Sequence, residues 1–180
     1  MPTWAVIMII AISVLAVVGI GAAGWFAWRG FERRALMRIV VRSEAVEAAT
    51  QALRDVFARL AEAEDDEVAA FTSDPDSSER RALYEVGLKA DMITDELDRM
   101  RLPRGLITVA ESVADASFLV AREARVVGEN DSGEAALVHV AKVDLETVSA
   151  YTAQARRRVH ETCVEHGLEE TMVYGGGLYL

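Results

Sequence analysis

The distribution of charge divides the chain before any other property does. From Trp4 to Trp28 no residue is charged, and that run is longer than the roughly 20 apolar residues a helix needs to cross a bilayer. Trp4, Trp25 and Trp28 stand at its two ends, where an indole keeps its ring in hydrocarbon and its N–H among the headgroups. The pattern predicts a transmembrane anchor over residues 1–28. Inside it, Gly19, Ala23 and Ala27 recur every four residues, a strip along which two copies could pair as a homodimer through the transmembrane helix. Glycine and alanine are also common in membrane helices that pair with nothing.

After Trp28 the apolar residues become periodic. Ile39, Val46, Leu53 and Leu60 are seven apart, with Ala49, Val56, Ala63 and Ala70 interleaved and Leu36 and Phe57 widening the stripe. This predicts one continuous helix from Phe31 to Phe71, about 60 Å long, packed in a globular bundle rather than a narrow two-stranded seam. Its far end carries Glu62, Glu64, Asp65, Asp66 and Glu67, acids placed where the helix dipole disfavours them. They lack the glycine-containing loop of a calcium hand and read as a solvated tip.

Ser73-Asp74-Pro75-Asp76 predicts a stop and restart, with Asp74 capping a second helix and Pro75 as its first residue. Leu83, Ala90 and Leu97 with Val86, Ile93 and Met100 give that helix one apolar face as far as Arg101, before Pro103 and Gly105 reverse the chain. A third helix from Leu106 to Val127 carries Val109, Val113, Val120 and Ala124 on one side, with Glu111, Asp115 and Glu123 elsewhere. A loop over 128–133 leads to a fourth, opened by Asp131 and Glu134 as a capping box and faced by Val138, Leu145, Thr152 and Val159 with Ala141, Val148 and Ala155. Gly167 closes it. The predicted fold is all-α: an N-terminal transmembrane helix followed by an antiparallel four-helix bundle with long helices.

Charge then sets orientation. The basic juxtamembrane segment 29–42 holds Arg29, Arg33, Arg34, Arg38 and Arg42 against Glu32 alone, a local +4, and basic flanks stay on the cytoplasmic side. The expectation is a cell-membrane protein with its N-terminus outside and a cytoplasmic bundle over 43–167. A cleaved signal peptide is the competing reading, but the basic n-region is missing. The chain's net −10, less the flank's +4, leaves −14 for residues 43–180, which excludes nucleic acid as a partner, since that affinity rests on neutralising phosphates. The same polarity, basic near lipid and acidic away from it, suits simple solubility as well as a domain held by its base. Arg156, Arg157 and Arg158 fall in the lower half of the bundle, as a lipid-facing rim or as a salt-bridged face. Seventeen arginines against two lysines suggest a GC-rich bacterial genome.

Chemistry is sparse. Cys163 is the only cysteine, so no internal disulfide can form. None of His139, His160 and His166 follows a Glu-x-x-His pattern of the di-iron bundles. His160-Glu161-Thr162-Cys163-Val164-Glu165-His166 is the densest set of ligand types, yet His166 lies about 240° around a helix from His160, and Val164 stands where a zinc motif needs its second histidine. No P-loop, dinucleotide fingerprint or nucleophile elbow is present, so no catalytic, cofactor or metal residues are assigned.

The last segment, 168–180, departs from the rest: Gly175, Gly176 and Gly177 cannot continue a helix, and the chain finishes on Leu178, Tyr179 and Leu180. Tyr174, Leu178, Tyr179 and Leu180 are candidate partner-binding residues, for capture of a hydrophobic terminus as an edge strand. Alternatively the tyrosines fold back on the bundle or enter the membrane interface. The expected role is a non-catalytic scaffold or protein-interaction module for an unidentified protein partner, anchored in membrane lipid through Trp4, Trp25, Trp28, Arg29, Arg33, Arg34 and Arg38. A membrane-anchored sensor with its bundle outside the cytoplasm is the alternative.

Overall fold

A computed structural model describes residues 3–127 and 133–168, with side chains from Val18 onward. All regular structure among them is helical. The elements are α1 (Thr3–Glu62), α2 (Asp65–Ser73), α3 (Ser78–Arg99), a one-turn 3-10 helix (Arg104–Leu106), α4 (Ile107–Ala124), α5 (Glu134–Val140) and α6 (Leu145–Glu165).

Four long helices form a bundle whose register is fixed by side-chain pairs. Arg42 of α1 meets Glu96 of α3 at 2.6 Å. Thr50 lies 3.0 Å from Thr152 of α6, and Glu47 lies 3.4 Å from Arg156. Ser117 of α4 donates to the Ala90 carbonyl of α3 at 2.7 Å. Each of these pairs is antiparallel, so α1 and α4 run the same way. They touch across the middle, while α3 and α6 fill opposite flanks and scarcely meet. The periodic apolar positions supply the core: Leu36, Ile39, Leu53, Ala90, Val113 and Val159 have at most traces of exposed surface.

Burial in α1 begins at Ala35, ahead of residue 43, so the bundle includes much of the basic segment. We call the end where α1 enters the bundle the base, and the opposite end the tip.

Two of the expected helices are broken. The helix expected from Phe31 to Phe71 stops at Glu62 and restarts as α2 at Asp65, with extended backbone at Glu64 (φ −73°, ψ 163°). The break moves Asp65, Asp66 and Glu67 from a helix C-terminus, where the dipole repels them, to the first turn of α2, where it attracts them. It also takes Ala70 off the apolar face and leaves it exposed.

The fourth helix is interrupted likewise between Val140 and Leu145. Asp144 caps α6, accepting from the Thr147 backbone N–H at 2.8 Å and its hydroxyl at 2.6 Å. Val138 and Ala141 are therefore exposed, against the heptad reading. Asp131 lies outside the described residues, and Gly133, at φ +56°, occupies the cap position of α5.

Asp74 does not cap the second helix. Its carboxylate accepts from the Asp76 N–H at 2.9 Å and its carbonyl from the Ser77 N–H at 3.2 Å, which makes Asp74–Ser77 a turn with Pro75 second. Helix α3 starts three residues later than expected. Gly167 does close α6: at φ +66° it donates to Val164, and Leu168 donates to Cys163, the two bonds of a Schellman motif.

Candidate interaction surfaces

Helix α1 has two environments. Among the described side chains none before Ala35 is buried, and Val18, Ile20, Trp25, Phe26, Trp28 and Phe31 are 45% to 74% exposed. At 100° per residue these six side chains surround the helix, so no polar face exists for water. Among the described residues no helix is long and apolar enough to cross a membrane. The uncharged stretch that begins at Trp4 includes residues 4–17, whose side chains, Trp4 among them, lie outside the described ones. The first polar groups past the sleeve are locally satisfied. Arg29 stacks on Trp25 at 4.5 Å, and the Trp28 indole N–H donates to Glu32 at 2.8 Å. Arg33, Arg34 and Arg38 are exposed.

Arg156, Arg157 and Arg158 sit higher. Arg156 is level with Glu47, about 18 Å up α1 from Ala35 at the usual helical rise. Arg158 bonds the Ser112 hydroxyl of α4 and Arg157 is exposed to solvent. Of the two readings of this triplet, the geometry matches a self-paired face far from the base. The turn between α3 and α4 instead brings Arg101 and Arg104, both exposed, down beside the α1 arginines. Sequence reasoning registered only Pro103 and Gly105 there; the alternation of two arginines with apolar residues in that reversal was the available signal.

At the tip, the broken helices enclose an apolar groove of about 260 Å³ lined by Phe57, Leu60, Val68, Phe71, Leu137 and Val140 among others. Arg80 of α3 holds its floor. Its Nε donates to the Phe71 carbonyl at 2.7 Å, its guanidinium lies 5.4 Å from the Phe71 ring centroid, and Gly133 N–H donates to the Thr72 carbonyl at 3.0 Å. The open carbonyls ending α2 are thus satisfied from two other parts of the chain. Glu62, Glu64, Asp65 and Asp66 stand in sequence between two of its lining residues, Ala61 and Val68, all exposed.

Glu123 was expected on a polar face and is instead 5% exposed. Arg122 binds one carboxylate oxygen through two nitrogens at 2.8 and 2.6 Å, and the Asp144 N–H reaches the other at 3.3 Å. A buried carboxylate is tolerable when so partnered. It ties the end of α4 to the start of α6. The two hydrogen bonds from Thr147 hold the Asp144 carboxyl below its usual range.

The ligand-type residues of α6 do not converge. His160 is exposed, Cys163 is buried with its thiol pushed up by desolvation, and the His166 Nδ1 lies 3.0 Å from the Thr162 carbonyl. Among the described residues no three histidine, cysteine or carboxylate side chains come together as a metal set. A polar hollow between α1 and α6 is lined by Glu47, Arg54, Ser149 and Arg156, which bond one another. Tyr174, Leu178, Tyr179 and Leu180 lie outside the described residues. No protein family, curated protein or solved structure matches this chain.

Proposed function

We propose that the chain is a single-pass membrane protein whose bundle is a non-catalytic docking module for another protein on the cytoplasmic side. The observation that carries this is the α1 segment Val18–Trp28, uncharged throughout and exposed on every side. In water such a surface is unstable, whereas in a bilayer it is the ordinary surface of a spanning helix. Trp25 and Trp28 beside Arg29, Arg33 and Arg34 are the side chains of a headgroup boundary with the basic side facing the cytoplasm. The unbroken helix from this segment into the core couples anchor to bundle with no linker between.

The groove at the tip is the surface for a protein partner. It is apolar, open and at the end of the bundle farthest from the anchor. A homodimer through Gly19, Ala23 and Ala27 is compatible with this arrangement, since the strip faces open space.

Topology is the first test. Cys163 is buried, so the reporter is Tyr84→Cys, an exposed site on α3. In intact cells a membrane-impermeant maleimide will leave it unlabelled, and lysis will expose it. Labelling in intact cells would put the bundle outside and favour the sensor reading. Resistance of the chain to alkaline extraction from membranes tests the anchor itself, and release into the supernatant refutes it. For the groove, Leu137→Glu will abolish copurification of a membrane-complex partner that Tyr84→Glu, away from the groove, retains.

A further inference from the structure

Most arginines of the bundle have a partner. Arg42, Arg99, Arg125 and Arg156 face carboxylates, and Arg54 and Arg158 bond hydroxyls. By contrast Arg33, Arg34, Arg38, Arg101 and Arg104 are exposed, with no carboxylate or hydroxyl in reach among the described residues. All five lie at the base. Elsewhere only Arg59 and Arg157 are comparably free.

The height of the two turn arginines follows from the register. With Glu96 level with Arg42 and α3 antiparallel to α1, Arg99 is level with about residue 39 and the turn beyond it with about residues 34–38. At 1.5 Å per residue that is about 5–10 Å past Phe31, the last exposed aromatic side chain before the bundle begins. The Debye length in physiological salt is about 8 Å, so charges at that height act on a lipid surface even before their side chains extend toward it. The turn is firm: Pro103 and Leu106 are buried and the Leu106 N–H donates to the Pro103 carbonyl at 2.9 Å. Beside the arginines Ile107 is 41% exposed. Asp98, Glu111 and Asp115 share a shallow hollow with Ile107, three acids against the five exposed arginines of this end.

We propose that Arg101 and Arg104, carried on the α3–α4 turn beside exposed Ile107, bind anionic phospholipid headgroups and give the bundle a second, peripheral contact with the bilayer. This rests on the reading of residues 4–28 as the anchor. A guanidinium takes a phosphate oxygen pair through two parallel N–H bonds, which suits a fixed turn over a headgroup layer. One helix alone leaves the bundle free to tilt about its point of exit; two contacts on different elements hold its base against the membrane.

The test uses the full chain reconstituted in vesicles, with Ile107→Cys carrying a fluorophore and lipids carrying a headgroup quencher. Wild-type chain, with Cys163 shielded, gives the background. Quenching at 107 is expected to be strong with about 30% phosphatidylglycerol, weak in pure phosphatidylcholine and reduced by high salt. Each arginine near such a surface contributes about fivefold to the docked-to-undocked ratio, so Arg101→Gln with Arg104→Gln will lower it roughly 25-fold. A label at Tyr84→Cys will respond to neither change, and unaltered circular dichroism will show that the double variant folds.

Equal quenching in both lipids, or quenching unaffected by the double substitution, overturns the proposal. The anchor reads out separately, as flotation with pure phosphatidylcholine vesicles. If that flotation fails, lipid-specific quenching that the double substitution removes still supports the turn contact. Failure to bind either vesicle overturns both.

Discussion

Gly87 of α3 is buried against the end of α4, and the structure predicts that replacing it by alanine stabilises the protein. A methyl group built there meets Arg125 Cγ at 3.4 Å, Ala124 Cβ at 3.5 Å and Arg125 Nε at 3.6 Å. These are ordinary van der Waals distances, and two of the three atoms belong to a long side chain that can shift. Against this mild crowding stand about 1 kcal/mol of helix propensity and a fraction of the roughly 0.8 kcal/mol for burying one methyl. The Arg125–Asp91 pair is the element at risk, but both side chains are substantially exposed, so its loss would cost no more than about 1 kcal/mol. The balance for Gly87→Ala is a gain of about 0.5–1 kcal/mol, read as a rise of roughly 2–5 °C in Tm for a bundle of this size. Gly87→Val adds two further carbons toward Ala124 and will destabilise by about 1–3 kcal/mol through overpacking. Thermal melts followed by circular dichroism, on a chain beginning at Arg29, measure both. An alanine variant less stable than the parent would mean that α3 and α4 pack more closely than these distances allow, and would refute the argument.

Leu53, fully buried in α1, will cost about 2–5 kcal/mol when cut to alanine, while Arg157→Ala on an exposed face will stay within about 0.5; equal small losses in denaturant melts would mean the helix faces are wrong. A chain starting at residue 43 will be far less stable than one starting at Arg29, because it lacks Ala35, Leu36, Ile39 and Val40, all core residues; matching denaturation midpoints would place the domain boundary after them. Asp144, whose carboxyl is held below its usual range by Thr147, contributes stability that is present above the unfolded-state pKa of about 3.9 and disappears as pH falls through the lower folded-state value. Asp144→Ala will therefore melt below wild type at pH 7, with the gap narrowing in acid below about pH 4; a gap independent of pH would show that the carboxylate is not what caps α6.

The long helices were legible because burial on one face repeats at a fixed interval. Leu53, Ala90, Val113 and Val159 occupy the places their spacing assigned. What the spacing hid were interruptions that leave the apolar period almost intact on both sides. The heptad phase runs straight through Glu64 and again through Asp144, so periodicity alone joins what the backbone separates. Local signals were present in both cases: acids at a helix end that repels them, and an aspartate three residues before Thr147. Glu123 was hidden for another reason. A carboxylate on an apolar face reads as an error in phase unless its partners are known, and these come from Arg122 beside it and the Asp144 backbone twenty-one residues on. The basic base was half visible, since Arg33, Arg34 and Arg38 are contiguous in sequence, whereas Arg101 and Arg104 join them only through the antiparallel turn.

The two breaks also account for the concave apolar surface described at the tip. Had α1 run unbroken to Phe71 and the last helix unbroken from Glu134, both would have continued as parallel rods with their stripes closed against each other. Instead α2 and α5 turn aside and touch each other, and the residues on either side of each break, Leu60 and Val68 on one, Val140 and Leu145 on the other, line the groove between them. The acids that break α1 stand in sequence between two of its lining residues, exposed and without ion-pair partners among the described residues. The groove and these acids thus have a single origin in the sequence. From Ala35 to Glu62 the bundle is about 40 Å long at helical rise, which separates this groove from the arginine-rich base by far more than a Debye length. Charge at the acidic tip is therefore electrostatically independent of charge at the base, and a substitution at one end will leave the field at the other unchanged.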